Sequence, residues 1–388
     1  PLKKIRGNVN IGLKSLPTVK DLISALDQHC KTCADEINSQ DFDILYANAC
    51  RYLRTSPIAK YINIPSALYL GEPYRQFYEA WPALPWIAPQ DNSNHWLSLS
   101  SIRKWLMNRA KLDGIRLQAR EELEYAKRFD LILTNSIFSR EAVLRTYNLE
   151  SKVCYLGIDT VHYMPAGGQK ENFVIGLGGI YTAKRIDIAI RAVANIPREK
   201  RPALIWIGNF ASNDYLSTCE KLAGKLKVSF IPKVGISDHE VISLLSRASV
   251  MIYTPLLEPF GLAPLEANAC GTSVVAIAEG GIRESITDGV NGFMVNDDDP
   301  QKLGELLYKF VDDAQYAYQM GLRAREYVEQ NWNFQKCTDN IETYLLMLCY
   351  NEQGQFLKKI LANPEMVVKN TFPNDLKMGI GICEIKNN

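Results

Sequence analysis

Two glutamates eight positions apart, Glu258 and Glu266, have the residue type and spacing to act on one ligand. They lie in the run Leu257-Glu258-Pro259-Phe260-Gly261-Leu262-Ala263-Pro264-Leu265-Glu266-Ala267-Asn268-Ala269-Cys270-Gly271, which follows an apolar strand-like stretch and opens a helix. Pro259 is tolerated there because first-turn amides have no intrahelical partner anyway. Those open amides, with the positive end of the helix dipole, favour an anion such as a diphosphate. Eight helical residues span about 12 Å at about 1.5 Å each, so the two carboxylates bracket a ligand with hydroxyls at both ends. A carboxylate suits that task, since it accepts two hydroxyl hydrogen bonds and excludes a ligand lacking them. Taken singly, either glutamate reads better as a solvated helix residue.

Two further clusters accompany this run. Gly176, Gly178 and Gly179 precede Lys184 at the end of one apolar stretch, and Gly280-Gly281 follows another. Glycine serves close backbone approach to a ligand and tight turning alike, so both uses stay open. Lys184 reads either as a cation for a bound anion or as an ordinary lysine at a helix start. His95 and His162 read as incidental.

The frame that must position these residues alternates regularly. Apolar runs Phe173–Leu177, Ala203–Ile207, Val228–Ile231, Val250–Tyr253 and Ser273–Ile277 predict buried parallel strands. Helical stretches Arg185–Asn195, Asn213–Leu226, Asp238–Arg247 and Gly261–Ala269 lie between them. Such alternation implies a doubly wound α/β sheet, whose ligands sit beyond the carboxyl ends of the strands. The first half follows the same grammar less cleanly: helix Val19–Ile37, strands Phe42–Tyr46, Pro65–Leu70, Leu131–Thr134 and Lys152–Leu156, and a helix over Ile102–Arg128, either continuous or broken at Gly114. Tyr74 to Trp96 is aromatic and proline-rich, without period. A polar seam, His162 to Asn172, separates the halves. Phe334–Cys349 reads as a last helix.

Bulk properties bound the partners. The chain has 388 residues, 47% hydrophobic and 22% charged, a globular composition long enough for two domains. Forty-four basic residues against 43 acidic ones argue against a nucleic-acid partner. No apolar run nears the roughly 20 residues that span a bilayer. No signal peptide is read; the first residue is Pro1 rather than Met, so a missing start is expected. Nine scattered cysteines read as reduced thiols of a cytoplasmic protein. His29-Cys30-Lys31-Thr32-Cys33 lacks a second ligand pair, and no metal is expected. Ser101–Arg120 carries six basic residues (Arg103, Lys104, Arg109, Lys111, Arg116, Arg120), one acid, Asp113, and the interleaved Trp105, Leu106, Met107 and Leu112. It reads as a solvated helix face, or as a basic amphipathic helix meeting the anionic inner face of a membrane or an acidic acceptor lipid.

The stretch Phe173–Gly292 resembles the retaining glycosyltransferases of the two-Rossmann-domain (GT-B) type, family 4 (glycosyl transferases group 1) in particular. Glu258 and Glu266 match that family's glutamate–seven–glutamate signature. Gly176–Gly179 with Lys184 resembles its phosphate loop, Ile205–Gly208 its next strand, Ala276–Glu284 its donor-side loop, and Asp288-Gly289-Val290-Asn291-Gly292 the start of the strand that follows. Asn135-Ser136 and Gly157-Ile158-Asp159 are similar to its end-of-domain pattern, and Tyr69–Tyr78 to a loop that normally reads His-Glu/Asn-Pro-Pro-Arg.

The resemblance implies two Rossmann-like domains whose parallel sheets face a central cleft: residues 1–165 on the acceptor side, 166–333 holding the donor, and 334–388 as a crossover helix with a tail. It implies Glu258 on the transferred sugar and Glu266 on the ribose. It also implies donor contacts from Gly178, Gly179, Phe260, Gly261, Leu262, Ala263, Gly280 and Gly281. Lys184 would neutralise the departing diphosphate. The donor is then a nucleotide-diphosphate sugar, with no metal or other cofactor, and a hexose, with mannose favoured, passes to a glycan or lipid-linked acceptor. On the acceptor side the family's histidine falls on Gly71, leaving Glu72 and Arg75, which either orient an acceptor or a phosphate or simply pair with each other. The family's loop arginine falls on Gly179, leaving Lys184 or Arg185 as the nearby cations, and residues 1–16 do not supply the expected first strand and glycine loop. These departures keep an alternative open: a catalytically impaired sugar-nucleotide-binding or scaffolding protein with the same fold.

Overall fold

The computed structural model describes residues 18–78 and 99–351. Residues 1–16, most of the aromatic stretch with His95, and the tail beyond Asn351 fall outside the described residues. Packing divides the described chain into two units. The first comprises residues up to Thr134, Arg140–Val153 and the chain from Glu342; the second comprises Asn135–Ser139 and Cys154–Ile341. The change of unit falls between Val153 and Cys154, upstream of the seam read at 162–172.

The first unit is built on four parallel strands in chain order: β1 (Leu45–Asn48), β2 (Ser66–Tyr69), β3 (Leu131–Thr134) and β4 (Lys152–Val153). Leu45, Leu68, Ile132, Phe129 and Val143 bury together against it. The helix Val19–Asn38 opens with a capping box, in which Thr18 Oγ1 accepts from the Asp21 amide at 3.2 Å and Asp21 Oδ2 accepts from the Thr18 amide at 2.9 Å. The helix Leu99–Ala126 runs unbroken through Gly114. Glycine is used there for closeness rather than for a break: a Cβ at 114 would lie 3.0 Å from Val19 Cγ2 of the packed helix.

The second unit carries six parallel strands in the order β10-β9-β8-β5-β6-β7, with β5 at Glu171–Leu177, β6 at Ala203–Gly208, β7 at Phe230–Val234, β8 at Ala248–Tyr253, β9 at Val274–Ile277 and β10 at Gly292–Val295. Strand order reverses between β5 and β8. Helices Ile186–Ala194, Asn213–Leu226 and Pro300–Asp312 cover one face around Trp206 and Phe310. Helices Asp238–Arg247 and Leu262–Ala269 cover the other around Ile175, Leu245 and Met251. Gly176 belongs to this packing: a Cβ there would fall 2.2 Å from the Trp206 ring on β6. Helices Ile137–Tyr147, Pro300–Asp312 and Ala314–Asn331 were absent from the sequence reading, although Leu303, Leu307 and Phe310, all fully buried, follow helical spacing. Among the described residues no helix is long and apolar enough to cross a membrane.

Candidate functional site

A doubly wound sheet opens its ligand crevice where strand order reverses, beyond the carboxyl ends of the strands. In the second unit that point lies between the loops leaving β5 and β8. The two loops are laced together. Thr254 Oγ1 donates to the Lys184 carbonyl at 2.8 Å, and the Leu256 amide donates to the Ala183 carbonyl at 3.0 Å. Arg185, in the left-handed conformation at φ 48°, donates to the Thr254 carbonyl at 2.8 Å, to Glu279 at 3.2 Å and to both Asp298 oxygens at 2.7 Å. Its guanidinium is thereby committed to the scaffold, so Arg185 does not stand in for the loop arginine that the family places at Gly179.

This lacing presents Lys184 Nζ to Glu258 Oε2 at 2.6 Å, with the side chains only 13% and 25% exposed. So little solvent leaves the pair weakly screened. Leu257, just before Glu258, is held at φ 48°, its amide donating to Glu279 Oε2 at 3.0 Å. That is a costly conformation for a leucine, and it persists only where surroundings impose it. Gly280 and Gly281 do the imposing. Cβ atoms there would stand 2.2 Å from the Glu258 carbonyl oxygen and 2.1 Å from that of Pro259. The Gly281 amide donates to the Glu258 carbonyl at 2.8 Å. Ser136, grouped with this unit, donates to the Pro259 carbonyl at 2.6 Å.

Gly261, at φ 89°, starts the helix Leu262–Ala269 without a side-chain cap. The first-turn amides of Leu262 and Ala263 therefore face outward from the end beside Glu258; Pro264 has none. Phe260 is 2% exposed and packs with Tyr155, Leu265 and Trp332, so only its main chain can meet a ligand. Beneath lies Tyr253, buried at the end of β8, whose phenol burial and the Glu258 and Glu266 charges hold well above the ordinary range. It remains a neutral donor.

One helix turn pair further on stands Glu266. Burial pushes its carboxyl pKa up, the Tyr163 hydroxyl pulls it back, Asp238 pushes it up again, and His162 pulls it down. His162 and Tyr163, with rings 5.0 Å apart edge to face, are thus neighbours of the second glutamate, where the sequence reading treated His162 as incidental. Nothing local in the sequence signals this, because the contact spans a hundred positions. Gly178, at φ 143°, has Lys184 Cε 3.2 Å from where its Cβ would be. Gly179 is covered by aromatic rings: a Cβ would lie 2.8 Å from Phe210 and 3.0 Å from Tyr181, which stack at 5.4 Å.

In the first unit the candidate residues follow β2. Glu72 accepts from Arg54 Nη2 at 3.3 Å and lies 3.8 Å from Arg75 Nε. Gly71 precedes them at the sheet end, bearing no side chain. Glu122, fully buried below the loop, accepts from the Tyr74 amide at 2.9 Å and from the Tyr147 hydroxyl. Its other oxygen has no hydrogen-bond partner among the described residues, and burial pushes its pKa up to about 7. The His29–Cys33 segment lies on the first helix, with Cys33 Sγ 3.7 Å from His29 Nε2 and Cys30 Sγ 3.4 Å from Ser56 Oγ. Among the described residues no group of three or more His, Cys, Asp or Glu side chains is placed to hold a metal.

Comparison with known proteins bears on the second unit and on the fold. Residues 165–327 match the family model for glycosyl transferases group 1. A D-inositol 3-phosphate glycosyltransferase of Streptomyces avermitilis is 28% identical over 234 residues, covering 54% of this chain and 50% of that one. An MMP alpha-(1->4)-mannosyltransferase of Mycolicibacterium hassiacum is 25% identical over 302 residues, covering 76% and 68%. The chain spans about half the length of the first of these curated relatives. Among solved structures, Anabaena Alr3699/HepE in complex with UDP and glucose superposes with a TM-score of 0.60 at 21% identity, covering 84% of this chain and 81% of that one. Residues 165–327 are a glycosyl transferases group 1 domain, and the chain that contains them has the GT-B fold.

Proposed function

We propose that this chain is a retaining glycosyltransferase that moves a hexose from a nucleotide-diphosphate sugar to a glycan or lipid-linked acceptor. The observation that carries this reading is the Lys184–Glu258 pair, 2.6 Å apart where strand order reverses and beside the open amides of Leu262 and Ala263. In the proposed reaction the bond from the anomeric carbon to the diphosphate oxygen breaks. The acceptor oxygen bonds to that carbon on the same face, and its proton passes to the departing diphosphate. Negative charge grows on the diphosphate, where Lys184 and the helix amides stabilise it more in the transition state than in the ground state. Glu258 takes the sugar hydroxyls and Glu266 the ribose. The name of one relative, an alpha-(1->4)-mannosyltransferase, supports a hexosyl donor, and that of the other, a D-inositol 3-phosphate glycosyltransferase, supports sugar transfer. UDP and glucose in the superposed structure support a nucleotide donor.

The acceptor side belongs to the first unit in this reading, through Glu72 and Arg75. Its helix Leu99–Ala126 exposes Trp105, Leu106 and Met107 at 58%, 54% and 62%, with exposed Arg103 and Arg109 beside them, which supports contact with an anionic membrane surface.

Incubating the full chain with labelled UDP-glucose or GDP-mannose, with extracted lipids and oligosaccharides as acceptors, tests the reading. The expected product keeps the donor's anomeric configuration, read from the anomeric proton coupling. The rings of Phe210 and Tyr181 over Gly179 favour the second reading, an impaired sugar-nucleotide-binding protein. Tight donor binding with neither transfer nor hydrolysis establishes that second reading instead.

A further inference from the structure

The chain leaving β5 folds back on itself before it reaches Arg185. The Lys184 amide donates to the Tyr181 carbonyl at 2.9 Å, closing the 3-10 turn Thr182–Lys184. Side chains three apart eclipse in such a turn, and Lys184 Nζ accordingly stands 6.0 Å from the centre of the Tyr181 ring. The lysine stem lies along Gly178, with Cε 3.2 Å from where a Cβ would be. Behind Tyr181 stands Phe210, its ring 5.4 Å away and tilted by only 10°. The backbone fixes that stack. The Ile180 amide donates to the Phe210 carbonyl at 2.9 Å, and the Ser212 amide donates to the Ile180 carbonyl at 2.8 Å. A Cβ at 179 would lie 2.8 Å from Phe210 and 3.0 Å from Tyr181, so glycine there admits both rings. Side chains thus meet in one line: Phe210 on Tyr181, Tyr181 on the Lys184 ammonium, and the ammonium on Glu258 Oε2 at 2.6 Å.

We infer that Tyr181 is a positioning residue for Lys184, its ring face holding the ammonium at the departing diphosphate while Phe210 backs the ring. The inference rests on the proposed roles of Lys184 and Glu258. In that reaction Glu258 takes the sugar hydroxyls, so its hold on the ammonium weakens once the donor is bound. A lysine on a flexible four-carbon stem then has many rotamers open to it. The negative face of an aromatic ring attracts a cation without carrying a counter-charge of its own. Tyr181 thus keeps Lys184 in place and leaves its charge to the diphosphate. That charge matters most as the diphosphate departs, so the effect falls on kcat rather than on donor affinity.

Single-turnover release of labelled nucleotide diphosphate, with UDP-glucose and GDP-mannose as donors, tests it. The full chain is prepared as Tyr181→Phe, as the same variant with one, two or three fluorines on the ring, and as Tyr181→Leu. Fluorine withdraws charge from the ring face and barely changes its shape, so a ring that only fills space gives one rate throughout. We expect release to slow with each added fluorine, and Tyr181→Leu to release about fivefold more slowly than Tyr181→Phe. Donor Kd, measured by calorimetry, should stay level across the series. In the Lys184→Ala background the differences should vanish, because the cation is gone. Equal rates across the fluorinated series, a loss confined to donor Kd, or differences of the same size without Lys184 overturn the positioning role while the donor site stands. The fluorinated rings pack as that of Tyr181→Phe does, so the series decides the matter even where Tyr181→Leu fails to fold. A wild type that releases no diphosphate from either donor overturns the proposed function, and the positioning role with it.

Discussion

Beyond β5 and β8 Lys184 meets Glu258 at 2.6 Å and Arg185 meets Glu279 and Asp298, whereas beyond β2 one carboxylate, Glu72, is shared between Arg54 at 3.3 Å and Arg75 at 3.8 Å. Their supports differ as well. The Glu258 loop is held by backbone pressed on backbone, through Gly280 and Gly281 against Glu258 and Pro259, and by Glu279, which accepts from Leu257 and Arg185. The loop after β2 rests on a buried carboxylate, Glu122, whose pKa burial pushes up to about 7. The two loops thus rest on different physics: close backbone fit with ion pairs around Glu279 in one, a buried carboxylate with a raised pKa in the other.

Breaking the steric support should have the largest effect. Gly281→Ala places a Cβ 2.1 Å from the Pro259 carbonyl oxygen, so the Glu258 loop must move. A displacement near 1 Å at a reacting group lowers kcat/KM on the order of 100-fold. Gly224→Ala, on a helix with nothing within 4 Å of the new Cβ, is the control and should leave kcat/KM unchanged. Equal kcat/KM for both variants would show that the glycine pair does not shape the loop.

The protonation support is tested by pH. Because the folded pKa of Glu122 is raised to about 7, the native state binds its proton more tightly than the unfolded chain does. Its contribution is fully present below about pH 4.5 and is lost as pH rises through about 7. Glu122→Gln has no proton to lose. Between pH 4.5 and 8 wild type should therefore lose up to about 3 kcal/mol relative to the glutamine variant, the size of a shift of about 2.5 pH units. Denaturant melts across that range read the difference directly. Parallel stability curves for the two proteins would place the Glu122 titration elsewhere.

A smaller loss is expected at the far end of the donor site. Glu266→Ala should weaken donor binding by about 1–3 kcal/mol, the range for a hydrogen-bonded group left without its partner. Calorimetry with the donor that wild type binds measures it. Unchanged affinity removes Glu266 from the site.

The contrast between the loops also marks what the sequence discloses. The donor-side elements were legible because their signals are local: the apolar runs give strand identity, and Glu258, Pro259, Gly261 and Glu266 fall within one loop and helix. Helices Asn213–Leu226 and Asp238–Arg247 match the reading residue for residue. Strand β1 does not. The apolar run Phe42–Tyr46 pointed to it, but the strand lies at Leu45–Asn48, because its register is set by pairing with Ser66–Tyr69 rather than by its own apolar residues. Gly176 looked like part of a ligand loop, yet the Trp206 ring thirty positions on requires it. Glu122 and Tyr163 escape the sequence for one reason. Glu122 meets Tyr74 and Tyr147, 48 and 25 positions away, and Tyr163 lies near Glu266, about a hundred positions on, so neither carries a local spacing signal.

The central claim is that Lys184 stabilises charge on the departing diphosphate, and single-turnover release of labelled nucleotide diphosphate tests it most directly. With a donor that wild type processes, and with a metal chelator present, Lys184→Ala should slow release on the order of 100- to 1,000-fold, the usual effect of removing one transition-state donor. Release at the wild-type rate from Lys184→Ala would contradict the account, even with the fold and both glutamates in place.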